Sequence, residues 1–205
     1  GTQTITARYT LPRTVRGSAT LLSTQTDRSG GRWQFRTGLK PLAPDAIRVQ
    51  VSVQCSAPRK LISFEGPMLL VGERAGGAQR TEAIFPGLEW LVADEVSSGD
   101  LDIITSHPDR PRFAPHPNKV TIPAMIVQTR AGTTALYWNS YGRWDGLHDR
   151  PQPVFASPDR INGRAGHLMG LMAPSAAHGW PENGVVRANS YTFALSAGRT
   201  LTLSG

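Results

Sequence analysis

What this chain of 205 residues lacks narrows its class before any pattern is read. It has a single cysteine, Cys55, so no internal disulfide can form. A lone thiol within an alternating apolar strand reads as a small buried hydrophobe. No apolar run approaches the roughly 18 residues of a membrane-spanning helix, and no leader pattern opens the chain. Sustained helical periodicity is missing too; only Asp94–Ser98 and Ala173–His178 suit a helical turn. Lysine is confined to Lys40, Lys60 and Lys119, so the net charge of +7 rests on arginines scattered from Arg8 to Arg199. A nucleic-acid binder concentrates its positive charge on one element, so this spread argues for a solvated surface and no nucleic-acid partner.

The motifs of several enzyme classes are absent as well. No GxxxxGK loop offers a phosphate cradle, and Ser97-Ser98-Gly99 is not a nucleophile elbow. The five histidines (His107, His116, His148, His167 and His178) form no HxH or HExxH pair. Asp145-Gly146-Leu147-His148-Asp149 lacks the spacing of an EF-hand. No cofactor and no catalytic metal site is expected; a structural Ca²⁺ held by loop carboxylates and carbonyls stays compatible.

What is present is β structure. Glycine (21 residues) and proline (16 residues) punctuate short segments that alternate apolar and polar side chains, the pattern of half-buried strands. Ile47–Cys55, IRVQVSVQC, is the clearest of them. Others are Thr2–Leu11, Ala19–Ser23, Trp33–Thr37, Leu61–Phe64, Met68–Val71, Val120–Gln128, Thr133–Trp138 and Pro153–Phe155. Pro86-Gly87 splits Thr81–Trp90, and Asp102–Thr105 forms a further short strand. His167–Met172 reads as a buried strand whose methionines fill gaps. Tyr191–Leu195 and Arg199–Leu203 look like a hairpin closed by Ser196-Ala197-Gly198, and Gly66-Pro67 and Pro41–Asp45 look like turns. The expectation is an all-β chain: one antiparallel β-sandwich domain of roughly a dozen short strands over residues 1–205.

The stretch Ala135–Phe155, ALYWNSYGRWDGLHDRPQPVF, gathers aromatic rings and short polar side chains on a loop leaving a strand. A pyranose offers an apolar C–H face to a flat ring and a rim of hydroxyls to polar groups. Trp144 and Tyr141 are candidate stacking residues, with Trp138 entering the loop. Asn139, Arg143 and Asp145 are candidate hydroxyl partners, and Trp180 is a second exposed aromatic. A competing reading has Tyr137, Trp138 and Trp144 plugging one end of the core. Trp33 and Trp90, in strands, read as core. A glycosidase or lyase would need two facing carboxylates, for which Glu89 and Asp145 are the candidates, although alternation points Glu89 to solvent. A third reading is structural: a domain packed on a catalytic partner, with an exposed apolar patch and buried loop aromatics.

Two blocks, IFPGLEWLVADEVSSGDLDI (Ile84–Ile103) and the segments PHPNKVTIPAMIV, YWNSYGRWDG, PVFASPDR and HLMGLMAP between Pro115 and Pro174, resemble a family. They look like the β-supersandwich (galactose-mutarotase-like) domains that accompany helical-barrel catalytic domains in large bacterial carbohydrate-active proteins. The resemblance implies a carbohydrate context, a catalytic domain in the same parent chain and an extracellular or periplasmic place. Gly1 fits a domain excised from such a protein. On these grounds the expected function is non-catalytic carbohydrate binding, by stacking and hydrogen bonding to a polysaccharide or oligosaccharide.

Overall fold

A computed structural model describes residues 3–9, 17–72, 79–86, 89–97, 120–146, 150–159, 164–173 and 193–205. Among these residues the chain forms strands and no helix, and every strand pairing is antiparallel. One four-stranded sheet has the order β1 (Ala19–Thr26), β2 (Arg32–Ala43), β3 (Ala46–Cys55), β13 (Thr200–Ser204). A second has the order β7 (Glu89–Val92), β6 (Arg80–Phe85), β8 (Ala124–Thr129), β9 (Gly132–Tyr137). Between them in sequence come β10 (Gln152–Ala156), β11 (His167–Ala173) and β5 (Phe64–Val71), a three-stranded sheet, and the pair β12 (Phe193–Leu195) with β4 (Arg59–Leu61). The expected all-β sandwich is the fold observed.

Alternation decides the core. On β2, Trp33 and Phe35 point in and Arg32, Gln34 and Arg36 point out. Val53 and Cys55 of β3, Leu201 and Leu203 of β13, and Met125, Val127 and Leu136 of β8 and β9 join them. One continuous cluster therefore links all the sheets, and the Phe85 and Phe155 rings stack at 4.5 Å across it. Such a pair adds about 0.5–1.5 kcal/mol beyond its buried area. Strands β10 and β11 are buried on both faces, which is why HLMGLM reads as an unbroken apolar run.

The fold departs from the local sequence pattern at several places. Residues 3–9 form no strand; Ile5, Ala7 and Tyr9 pack against the core, and the Tyr9 hydroxyl accepts a hydrogen bond from Thr37. Pro41 belongs to β2, where a bulge before Ala43 accommodates it. Strand β5 runs through Gly66-Pro67, a cis peptide, and glycine is required at 66, where φ is 147° and a side chain would meet Val51. Finally β12 and β13 are no hairpin: β12 pairs with β4 and β13 with β3, and the Gly198 amide donates to the Cys55 carbonyl. The segment 94–97 is not helical, and the expected strand at 102–105 lies outside the described residues. No helix among the described residues is long and apolar enough to cross a membrane.

At the β1–β2 turn Arg59 clasps Asp27 at 2.6 Å, and Trp33 Nε1 donates to the same carboxylate at 2.9 Å. The Arg59 guanidinium holds the Asp27 carboxyl well below the usual carboxylate range; burial opposes this and the Trp33, Gly31 and Ser29 N–H groups reinforce it.

Candidate functional site

The aromatic loop is built as a plug. The Trp138 amide donates to the Pro123 carbonyl at 3.2 Å, and the Asn139 side chain accepts from the Tyr141 amide at 2.9 Å, closing an Asx turn. Gly146, at φ 81°, supplies the left-handed residue that ends the second turn, its amide donating to the Arg143 carbonyl. The Trp144 carbonyl accepts from Thr202 of β13, and its indole meets the Phe193 ring edge-on at 4.7 Å. Asp145 receives Arg199 at 2.7 Å with its side chain almost fully enclosed, and Arg199 also lies over Phe193.

These contacts redistribute the predicted sugar-binding residues. Trp138 is 7% exposed and Trp144 4%, so both indoles belong to the core and neither presents a face for stacking. Tyr141 is 81% exposed, with the Arg150 guanidinium over one face of its ring at 5.3 Å. Asn139 and Arg143 are exposed beside it, whereas Asp145 is engaged by Arg199. Trp180 lies outside the described residues.

The exposed rings stand elsewhere. On β7 the side chains alternate so that Leu91 enters the core and Trp90 leaves it, 66% exposed. This reverses two expectations: Trp90 is not core, and Glu89 shares the inward parity of Leu91 and is half-buried. Trp90 stands in register with Ile84 of β6, Ile126 of β8 and Ala135 of β9. Tyr137, two residues along β9, is 61% exposed. The outer face of this sheet is thus an apolar row with an aromatic ring at each end, about 16 Å apart. A parallel row of Val92, Glu82, Gln128 and Thr133 supplies hydrogen-bonding groups.

A third constellation is buried. A bulge between Arg80 and Glu82 breaks the alternation of β6, so Glu82 faces out while Arg80 turns inward. Its guanidinium donates to the Ser157 hydroxyl and to the Glu95 carbonyl. Ser157 Oγ lies 2.8 Å from His167 Nδ1, and Ser157 and Ser97 exchange two further hydrogen bonds. Ser157 Oγ thus accepts from Arg80 and shares one proton with His167 Nδ1, whichever of the two carries it. Burial pushes the Arg80 guanidinium below its ordinary value, while Glu95, Glu89 and Asp94 push it back up. Ser157, His167 and Arg80 are all buried, so a serine–histidine pair that resembles nucleophile and base is here a buried structural pin, with the Arg80 Nε lacking a partner among the described residues. No sequence motif marks it, since Arg80 and Ser157 are 77 positions apart. The available signal was a histidine opening an apolar strand, where a buried polar group demands a partner.

Among the described residues no group of three or more His, Cys, Asp or Glu side chains is arranged to hold a metal ion. Compared with protein-family models, curated proteins and solved structures, the chain matches none.

Proposed function

We propose that this chain is a non-catalytic carbohydrate-binding β-sandwich module whose platform is the outer face of β7–β6–β8–β9. The observation that carries this reading is the exposure of Trp90 and Tyr137 on one sheet face, with Glu82, Gln128 and Thr133 beside them. Rings on a strand surface need no ordering on binding, so little of the contact energy is lost to entropy. Glu82 on that face, with Asp94 and Glu95 exposed beyond β7, favours a neutral glycan over an anionic one. The mechanism is equilibrium binding, with no bond made or broken. An extracellular or periplasmic place and a catalytic domain in the same parent chain belong to the same proposal.

A second reading rests on Ile84 and Ile126. Aliphatic side chains between the two rings suit a protein surface, so the face would pack on a partner domain. Affinity electrophoresis against neutral xylan, galactan, mannan and soluble cellulose derivatives separates the two. Retardation by one of them, lost in Trp90→Ala and Tyr137→Ala but kept in Tyr141→Ala, supports the glycan platform. No retardation by any of them, with self-association or capture by the parent chain's other domains abolished by Trp90→Ala, supports packing instead.

A further inference from the structure

The outer face of β1–β2–β3–β13 takes no part in the reading above. Its side chains stand in registered rows: Thr24–Gln34–Gln54–Thr200, Leu22–Arg36–Ser52–Thr202 and Thr20–Gly38–Gln50–Ser204. The rows Thr26–Arg32 and Lys40–Arg48 close the two ends. None of these side chains is a carboxylate, and four are cations. Arg32, Arg36, Lys40 and Arg48 are all exposed and none is in an ion pair among the described residues. The acids nearest in sequence sit in the turns at either end, Asp45 and Asp27, and Asp27 is neutralised by Arg59.

A face with this composition has two chemical consequences. Arg32, Arg36 and Lys40 follow one another along β2 at intervals of about 13 Å. Between them stand Gln34 and Gly38, with hydroxyls and amides on the neighbouring strands and the exposed Leu22 beside Arg36, and one row is already ordered. Thr200 Oγ1 donates to Gln54 Oε1 at 3.3 Å and Gln54 Nε2 donates to Gln34 Oε1. The line leaves the Gln34 amide protons as outward donors and the Thr200 oxygen as an outward acceptor. The pattern alternates well-spaced positive charge with hydroxyl-matching groups.

We propose that this face binds a linear polyanionic polysaccharide, carboxylated or sulfated, lying along β2. A single-stranded nucleic acid fits less well, because the face carries no aromatic ring on which a base could stack. The binding is independent of the aromatic face on the other sheet, and the variants that test the two faces do not overlap.

The experiment is affinity electrophoresis and calorimetry of the full chain against polygalacturonate, a sulfated galactan, dextran, and single- and double-stranded DNA. It is run at about 50 mM and about 200 mM salt. The expected result is binding to one or both polyanionic glycans but not to dextran, weaker at the higher salt. The tighter of the two polyanions names the anionic group. The double variant Arg32→Glu/Arg36→Glu weakens that binding roughly tenfold or more, Gln54→Ala weakens it severalfold, and Arg130→Glu, in the β8–β9 turn, leaves it unchanged. Far-ultraviolet dichroism establishes that each variant is folded. The proposal is overturned if neither polyanion binds at low salt, if DNA binds at least as tightly, or if Arg130→Glu costs as much as the double variant.

Discussion

On β2 and β3 the outward positions hold Arg32, Gln34, Arg36, Arg48 and Gln54; on β6 to β9 they hold Ile84, Trp90, Ile126 and Tyr137. Both sheets turn Val, Leu, Met or Phe inward to one shared cluster, so the core treats them alike. The difference lies wholly on the solvent side. An outward position of a strand adds little to stability, so its chemistry is free to serve a ligand. One sheet presents charge and hydrogen bonds without carboxylates, and the other presents rings bordered by acids. The buried aromatic loop is the contrasting case, since its tryptophans hold the sandwich together and have no free face.

That contrast can be broken most forcefully at Trp144. Trp144→Ala removes an indole from the core and its edge contact with Phe193, and should cost about 3–5 kcal/mol in urea unfolding. Trp90→Ala should stay within about 0.5 kcal/mol of the parent in the same assay. Equal losses at both positions would erase the distinction between core and platform.

The buried pin gives the next largest effect. Arg80→Met leaves the Ser157 hydroxyl and the Glu95 carbonyl without their donor, at a cost of about 1–3 kcal/mol in the same denaturation. Ser157→Ala should cost a similar amount, because it leaves an Arg80 N–H and His167 Nδ1 without their shared partner.

The end of the cationic face near Asp27 gives a pH-dependent test. The folded pKa of Asp27 is depressed, so its contribution to stability is full above the ordinary carboxylate value near 4 and is lost as pH falls toward the lowered one. Asp27→Asn should flatten the acid limb of the unfolding midpoint against pH and leave the slope between about pH 5 and 8 unchanged.

The smallest stability effect belongs to the outward cations. Arg36→Glu should move the unfolding free energy by no more than about 0.5 kcal/mol, whatever it does to binding.

The fold was legible where alternation is strict. The inward Val53 and Cys55 of IRVQVSVQC follow from period-two patterning alone. It was illegible where a tertiary partner decides. Nothing local distinguishes a β12 that pairs with β4 from one that folds back on β13. The loop aromatics show the same limit. Composition marks Trp144 and Tyr141 alike, and only the arrival of Phe193 and Arg199 buries the first and leaves the second exposed. At β7 the structure inverts the expected parity, because a four-residue strand is too short for its pattern to say which side is in. The Arg80 pin depends on a bulge, which shifts parity without leaving a trace in the local sequence.

The most direct test of the two-faced account crosses the variants with the ligand classes. A neutral glycan and a polyanionic one are titrated separately into the parent chain, Trp90→Ala and Arg32→Glu/Arg36→Glu, each checked for unchanged stability. The account predicts that Trp90→Ala loses the neutral ligand alone and the double variant loses the polyanion alone. Loss of both ligands in either variant, or of neither in both, would contradict it.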